Sequence, residues 1–529
     1  MKRVCLSILA GAALLSACGG SDDEATPTQA ANTSVPGSAS TAPASTTKAG
    51  LDSAFGSGGI AQVPLSTSEH DRFMAVAVAG DGSIYAAGYV MQGGDQAMAL
   101  AKYSAAGVLD KSFGKDGVAV VNVASGGKTA EVARAVAISA NGKILIAGPI
   151  EHDTSATGDG AKDTDVAVLR FDTSGKLDPS FGREGIARVD FGAGKATSAT
   201  TYVGDTVWGM GALPGDRVAM FGTRHAGGER PDGDYVLAGL TSAGVLDPSF
   251  GQNGMTVVDV SAVSDNPRNL IVEKDGAIVG SGYSTVDGVV QPVLVRVSAT
   301  GQLDKSFGAN GVATARVLPG VAEAYSVAKQ GDAYIAAGYG RGADTAEKVD
   351  LIVYRFTGSG QWDKSFGSEG VARLDLAKDD DRSRNVVVLA DGRILAVGSG
   401  KMTAANIDAM ATLWSKDGKA ESAFGTSGRV LSDRGGPADA WFGVAISPDG
   451  KSVVVGGYKG TDANSGDNDD AVLAKFSIRR SWQGCPIERA GADAPARSRF
   501  AVASRFRAPS ERTAPRRGRT LAARPCPRR

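Results

Sequence analysis

Short runs of alternating apolar and polar residues recur from about residue 50 to residue 478. One period contains VAVVNV from Val118, ARAVAIS from Ala133, KILIAGPI from Lys143 and DVAVLRF from Asp165. Runs of this length and alternation are typical of β-strands with one buried face. Polar loops and turns separate the runs, so each period predicts four strands that pair in order as an antiparallel meander.

An Asx-Gly pair, or its reverse, joins the second and third runs of every period. The pairs are Asp81-Gly82, Asn141-Gly142, Asp275-Gly276, Asp391-Gly392 and Asp449-Gly450, with Gly215-Asp216 and Gly331-Asp332 in the other two periods. Asx-Gly pairs favour two-residue hairpin turns in which both central residues have positive φ. The sequence therefore predicts a tight hairpin with this geometry in the middle of each meander.

The motif LDxSFGxxG follows the fourth run and occurs seven times, in degenerate form in the last copy. Its Phe residues are Phe55, Phe113, Phe181, Phe250, Phe307, Phe366 and Phe424, spaced 57 to 69 residues apart. A period of this size indicates a repeat architecture. Each unit is too small to bury its own apolar face and must pack against its neighbours.

Seven four-stranded meanders predict an all-β fold, a seven-bladed β-propeller of antiparallel blades, with a solenoid as the alternative. The chain ends favour the propeller. IAQVP, from Ile60, is a strand with no blade before it, whereas the last repeat supplies only three strands, from Phe442, Lys451 and Asp470. A first strand that completes the last blade would close the ring by a 3+1 seam, and closure removes the exposed sheet edges of a solenoid.

The order DGxILxxG, then DxxxxRF, then SxGxLDxSFGxxG resembles the delta-60 repeat β-propeller family of bacterial secreted proteins. The resemblance covers residues 51–477 and weakens at VWGMGALPGDRVAMFG, from Val207, and at Ala420. It implies the propeller fold, and it provides no catalytic residues to assign in this chain.

The N-terminal segment predicts export and lipid anchoring. Residues 1–18 carry Lys2 and Arg3, then a short apolar stretch, and end in Leu15-Ser16-Ala17-Cys18. This ending resembles a bacterial lipobox, which implies a signal peptide over 1–18 and lipidation of Cys18; an ordinary secretion signal is the alternative. By resemblance to Gram-negative sorting rules, the absence of Asp just after Cys18 favours the outer membrane, facing the periplasm or the cell surface.

Composition divides the chain into further segments. Residues 19–48 are rich in Ser, Thr, Ala and Pro, which predicts a disordered tether before a propeller domain at 49–478. Residues 479–529 hold fourteen Arg and three acidic residues, so the rest of the chain is acidic although the net formal charge is −1. This tail predicts disorder and is typical of a frameshift product; a basic segment for anionic lipid or nucleic acid is the alternative. The acidic body argues against nucleic-acid binding.

One position combines charge and aromaticity, and it lies seven residues before each central turn. Its occupants are Met74, Arg134, Trp208, Arg268, Ala324, Arg384 and Phe442. If these side chains line the central funnel, Arg134, Arg268 and Arg384 with Trp208 and Phe442 would form a site for an anionic or stacking ligand. The alternative is that each Arg pairs with a local carboxylate between blades.

Two repeated carboxylates predict structural roles. The Asp of each LD pair, from Asp52 to Asp363, can bond the backbone of the turn that follows. A second Asp opens the third strand, at Asp165, Asp234, Asp350, Asp408 and Asp470, and can pair with Arg or cap the preceding loop. The acidic stretch from Asp462 to Asp470 lacks the spacing of an EF-hand, which favours a solvated loop over a Ca²⁺ site.

No catalytic motif is recognisable in the sequence. The chain has three His, at 70, 152 and 225, which do not occupy equivalent repeat positions, and all four Cys lie outside the repeats. We therefore expect a monomeric, non-enzymatic binding or scaffolding module for an envelope protein, peptide or glycan, without a metal or other cofactor. The alternative is an envelope enzyme with a metal or an anionic substrate at the funnel.

Overall fold

The computed structural model describes residues 50–62, 65, 70–125, 131–153, 155–157, 162–196, 202–228, 230–263, 265–376, 379–403, 406–460 and 469–478. Within these ranges, no helix has the length and apolar character needed to span a membrane. The predicted signal peptide with Cys18, the tether, the basic tail and most of the acidic stretch before Asp470 lie outside the described residues, and the statements about them stay predictions.

All the described elements are β-strands. In chain order they are β1 (Ile60–Gln62), β2 (Asp71–Val78), β3 (Ile84–Gln92), β4 (Asp95–Tyr103), β5 (Val118–Val121), β6 (Ala135–Ile138), β7 (Ile144–Glu151), β8 (Thr164–Phe171), β9 (Ile186–Val189), β10 (Lys195–Ala196), β11 (Tyr202–Val203), β12 (Thr206–Leu213), β13 (Arg217–His225), β14 (Gly233–Leu240), β15 (Met255–Val258), β16 (Asn266–Val272), β17 (Ile278–Val286), β18 (Val289–Val297), β19 (Val312–Thr314), β20 (Val321–Ala322), β21 (Ser326–Gln330), β22 (Ala333–Arg341), β23 (Asp350–Phe356), β24 (Val371–Leu374), β25 (Asp381–Val388), β26 (Ile394–Thr403), β27 (Asn406–Trp414), β28 (Arg429–Ser432), β29 (Asp439–Ile446), β30 (Ser452–Gly460) and β31 (Asp469–Ser477).

The strands pair as the sequence predicts, in antiparallel meanders of four. Four sheets contain consecutive strands only, namely β2 to β5, β6 to β9, β12 to β15 and β25 to β28. A nine-stranded sheet holds two further meanders, β16 to β19 and β21 to β24, which the short strand β20 joins. The strands β10 and β11 form a separate two-stranded ribbon that the sequence pattern did not predict.

The first and the last described strands belong to one sheet. Its order is β1-β31-β30-β29, and Ile60, Ala61 and Gln62 lie opposite Ala474, Leu473 and Val472. The contact continues toward the turn, where the Asp52 amide donates to the Lys475 carbonyl over 2.8 Å.

The repeated Phe residues anchor each sheet to the next. All seven are buried, with 6% exposure or less. A Cβ added to Gly244 would lie only 2.9 Å from the Phe181 ring, so the ring packs directly against this glycine. The amide of the adjacent Gly182 donates to the Ala243 carbonyl over 2.7 Å, and equivalent bonds leave Gly56, Gly114, Gly251, Gly308 and Gly367. The Phe and Gly of the SFG motif therefore have a structural role, in the contact between one meander and the next.

The central hairpin turns differ in part from the prediction. In the Asp81-Gly82 turn only Gly82 has positive φ, at 88°. The amide of Gly82 donates to the Ala79 carbonyl and the amide of Ala79 to the Ser83 carbonyl, which makes a three-residue loop. The Asp81 carboxylate accepts the Ser83 amide over 2.8 Å and so caps the turn. Both residues have positive φ only at Gly215-Asp216 among the described central turns.

Candidate functional site

A central channel of about 2000 Å³ runs between the first strands of the meanders. These inner strands are β2, β6, β12, β16, β21, β25 and β29. Each contacts the next, and β29 contacts β2. Most of the charged and aromatic side chains that the sequence predicts to form a ring line this channel.

Five inner strands carry a β-bulge at the same place, where one residue is left over between two ladder pairs. The extra residues are Met74, Trp208, Arg268, Arg384 and Phe442. A bulge turns a side chain away from the normal alternation of a strand. These residues line the channel, as does Arg134 just before β6. The structure thus brings Arg134, Trp208, Arg268, Arg384 and Phe442 together around one cavity.

The prediction of Ala324 at the fifth ring position is wrong. Ala324 is buried in the sheet core, and Tyr325 lines the channel instead. The reason is the hairpin that follows. Gln330 pairs directly with Ala333, so this loop has two residues where the other turns have three or more, and counting back from the turn misses by one.

A glycine opposite each bulge makes room for it. A Cβ on Gly282 would lie 2.2 Å from the carbonyl oxygen of Asn266, two residues before Arg268. The same clash, at 1.8 to 2.1 Å, would occur at Gly88, Gly148, Gly222, Gly338, Gly398 and Gly457. The requirement for close backbone approach explains the last Gly of the DGxILxxG motif.

Guanidinium and aromatic groups alternate around the ring. The Arg134 guanidinium carbon lies 3.9 Å from the ring centroid of Trp208, and that of Arg268 lies 4.6 Å from it. Arg268 also lies 4.5 Å from Tyr325, whose ring is 4.8 Å from Arg384. Phe442 follows at 5.4 Å from Arg384. We call these six residues the collar. Trp208 and Tyr325 each contact two guanidiniums, and such cation–π contacts hold the planar groups in place.

The collar carries more positive than negative charge. None of the ion pairs among the described residues joins Arg268 or Arg384 to a carboxylate, and the carboxylate that interacts electrostatically with both is that of Glu323. The Arg268 Nη2 donates to the Tyr283 hydroxyl over 2.8 Å and its Nη1 to the Pro267 carbonyl. Glu323 also lines the channel and is 7% exposed. Burial raises its pKa, and the charges of Arg268 and the neighbouring arginines oppose that rise.

Sequence reasoning missed a buried carboxylate three residues before six of the seven ring positions, all except Ala324. These groups are Asp71, Glu131, Asp205, Asp265, Asp381 and Asp439. Their oxygens accept amides of the preceding loop, as Asp205 does from Phe191 over 2.5 Å and Asp381 from Leu376 over 2.7 Å. Burial raises the pKa of Asp205 to about 8, of Asp265 and Asp381 to about 7, and of Asp439 to about 6. Their recurrence at a fixed distance from the ring position was a readable signal.

The other repeated carboxylates have the structural roles predicted for them. In the LD pair, Asp110 accepts the Ser112 amide over 3.1 Å, and its second oxygen pairs with Lys102 over 2.9 Å. The same arrangement recurs with Arg170 and Asp178. At the start of the third strand, Asp350 forms an ion pair with Arg373 of the outer strand β24.

Three groups of acidic residues, one of which includes a histidine, have potential metal-ligand atoms within 4.8 Å of one another. They are His152, Asp165 and Asp190; Asp234, Asp259 and Asp265; and Asp350, Asp375 and Asp381. Each group already has a cationic partner. Arg230, for example, lies 3.2 Å from Asp234 and 2.9 Å from Asp259. These ion pairs offset the carboxylate charge that a metal would otherwise have to balance.

Comparison with known families identifies the same repeats. Residues 79–113, 139–181 and 273–307 match the family model described as a domain of unknown function (DUF5122) beta-propeller. No match was found among curated proteins.

Solved structures with a similar arrangement of strands are distant in sequence. Sqt1 from Chaetomium thermophilum is 10% identical with a TM-score of 0.38, over 79% of this chain and 97% of that chain. The polysaccharide lyase Uly1 is 11% identical with a TM-score of 0.39, over 78% and 91%. The β-propeller domain of the Trilobed protease from Pyrococcus furiosus is 9% identical with a TM-score of 0.38, over 77% and 99%. The repeated four-stranded sheets and the family match together identify this chain as a β-propeller protein.

Proposed function

We propose that this protein is a lipid-anchored binding module of the bacterial cell envelope, and that its partner, a protein, peptide or glycan, enters the central channel. The observation that carries the proposal is the collar, where six side chains from six different meanders line one cavity of about 2000 Å³. Aromatic and Arg side chains are the residue types that dominate binding energy at interfaces. Anchoring rests on the lipobox-like sequence at Cys18 and outer-membrane sorting on the residues after it.

A photo-crosslinking experiment tests the channel. The crosslinker p-benzoylphenylalanine replaces Phe442 at the collar or, as a control, Val108, which is 64% exposed on the turn between β4 and β5. In intact cells, we expect an envelope component to be captured from position 442 and not from position 108. Equal capture at both positions, or none at either, would refute binding in the channel.

The blades form a complete ring of seven in this proposal, closed by a 3+1 seam. The pairing of β1 with β31 and the contact between β29 and β2 support it. The backbone amide of Lys475 donates to the Gly59 carbonyl, so Gly59 and Lys475 form a hydrogen-bonded pair. Hydrogen-bonded and non-hydrogen-bonded pairs alternate along an antiparallel ladder, and the next pair, Ile60 and Ala474, is therefore a close, non-hydrogen-bonded one.

A double variant, Ile60→Cys with Ala474→Cys, therefore tests the seam. We expect a disulfide to form on export, because Cα atoms in such a pair are about 4.5 Å apart. After cleavage in a loop between the two positions, the fragments should stay joined until reductant is added. The matched control, Ile60→Cys with Ala411→Cys in another sheet, should separate without reductant.

The same proposal assigns binding and not catalysis. The support is that each of the three acidic groups has an arginine partner, as Asp165 has in Arg188 over 3.5 Å. Elemental analysis of the purified chain separates the two classes of function. A stoichiometric transition metal that is lost in Asp190→Asn would overturn the assignment.

Lipid anchoring has its own test. Cells labelled with an alkyne fatty acid should incorporate it into the wild-type chain and not into Cys18→Ser. The variant should leave the outer-membrane fraction. Labelling that persists in the variant would contradict anchoring at this cysteine.

A further inference from the structure

We propose that the collar binds a carboxylate of an acidic peptide segment of the partner. This inference rests on the proposed function, because it names the chemistry that the same channel would recognise. The sequence left an anionic and a stacking ligand equally open, and the arrangement of the collar decides between them.

The aromatic faces of the collar are already covered. Arg134 and Arg268 both lie over Trp208, at 3.9 and 4.6 Å, while Arg268 and Arg384 both lie over Tyr325, at 4.5 and 4.8 Å. A ligand ring cannot displace a guanidinium from these faces without losing the cation–π contact. The parts of the collar that remain for a ligand are the guanidinium N–H groups and the electropositive rims of the aromatic rings.

The edges include donors that the protein does not use. The Nε of Arg268 and the Nε of Arg384 are buried and have no hydrogen-bond partner among the described residues. Arg268 is 7% exposed, so its unused donor is costly unless a ligand accepts from it. Guanidinium and carboxylate match in geometry as well as in charge, and stacking fixes the guanidinium before the ligand arrives.

Glu323 points to a peptide rather than to a simple anion. Its carboxylate belongs to the same lining, is 7% exposed and leaves Oε2 without a hydrogen-bond partner among the described residues. A sulfate ion has no donor to give it, and the O–H donors of a phosphate ion lie on the same compact group that the arginines would bind. A peptide carries backbone N–H groups beside each acidic side chain, so it can offer a carboxylate to the arginines and a donor to Glu323. An acidic saccharide could also offer hydroxyl donors, but guanidinium groups already lie over Trp208 and Tyr325, which takes two aromatic platforms away from a stacking sugar ring.

Calorimetry on the full chain, purified in detergent, tests the inference with matched probes. The probes are a hexaglutamate peptide, a hexaglutamine peptide and trigalacturonate. We expect hexaglutamate to bind, hexaglutamine to bind at least about tenfold more weakly, and trigalacturonate to bind more weakly than hexaglutamate. Hexaglutamate binding should weaken as ionic strength rises, because charge supplies part of the affinity.

Two variants separate recognition from folding. Arg384→Gln removes the charge from a residue that has no ion pair among the described residues, and we expect about a tenfold loss of hexaglutamate affinity. Because the variant also loses the cation–π contacts with Tyr325 and Phe442, its melting temperature should fall by only about a few degrees. The control is Arg316→Gln, an exposed arginine outside the channel that bonds only the Pro319 carbonyl among the described contacts. It should bind as the wild type does.

Equal binding of the two peptides, or full affinity in Arg384→Gln, would overturn carboxylate recognition. Tighter binding of trigalacturonate than of hexaglutamate would overturn the peptide and make the partner an acidic glycan. Failure here is distinct from failure of the proposed function. Capture from position 442 that is insensitive to Arg384→Gln would leave a channel-binding module and remove only its preference for acids.

Discussion

Replacing Asp205 with Asn should make the protein more stable at neutral and alkaline pH. The carboxyl group is fully buried, one oxygen accepts the Phe191 amide, and the other has no hydrogen-bond partner among the described residues. Burial raises its pKa to about 8. Asn has the same shape, can still accept the Phe191 amide, and carries no charge to desolvate.

The sign follows from proton uptake on folding. Between the pKa of an unfolded Asp, about 3.9, and about 8, the folded protein holds a proton that the unfolded chain has released. Stability from this group is therefore greatest at low pH and is lost as the pH rises through that window. From pH 5 to pH 7.5 the loss is about 3 kcal/mol for this one carboxyl group.

Urea unfolding at several pH values between 5 and 7.5 measures this difference. Asp265, Asp381 and Asp439 also have raised pKa values, but they are common to both proteins, so the gap between wild type and Asp205→Asn isolates one group. The gap should widen toward pH 7.5. Parallel curves for the two proteins would refute the argument that this carboxyl group is desolvated.

Asp110→Asn is the matched control, because the pKa of Asp110 moves in the opposite direction. Its hydrogen bonds to Lys102 and Ser112 lower the pKa to about 2. The stability that this carboxylate contributes is present above about pH 4 and is lost only as the pH falls toward 2. The gap between wild type and Asp110→Asn should therefore stay constant from pH 5 to 7.5.

Two further substitutions test the geometry of the channel and of the sheet junctions. Gly282→Ala should cost about 1–3 kcal/mol of unfolding free energy and displace Arg268, because the new Cβ would meet a backbone oxygen. Gly80→Ala should be nearly neutral, because no atom lies within 4 Å of the position of its new Cβ. Denaturant midpoints check both, and equal midpoints would contradict the bulge argument. Phe250→Ala should cost about 3–5 kcal/mol because the ring is fully buried between two sheets. Val257→Ala, at a side chain that is 42% exposed, should cost under about 1 kcal/mol in the same assay.

The sequence could predict the strands and most of the collar because both are local repeats. Alternation marked each strand, and the distance from the turn marked Arg134, Trp208, Arg268, Arg384 and Phe442. Counting seven residues back from the turn failed at Tyr325, where the hairpin loop is one residue shorter. The register of two paired strands depends on the length of the loop that joins them, and the spacing of residues within one strand does not show it.

The chain alone determined that four strands repeat, that Phe and Gly recur at each junction, and that an arginine or an aromatic residue recurs near the start of most inner strands. The tertiary structure alone decided what these residues touch. Bulges turn Trp208, Arg268 and three further side chains into one channel, and the arginines of neighbouring meanders lie over the rings of Trp208 and Tyr325. Burial of Asp205 likewise comes from packing against the preceding meander, where it contacts Thr164 and Phe191. Distances and desolvation are set by residues far apart in sequence, so the periodicity that predicts a strand carries no information about them.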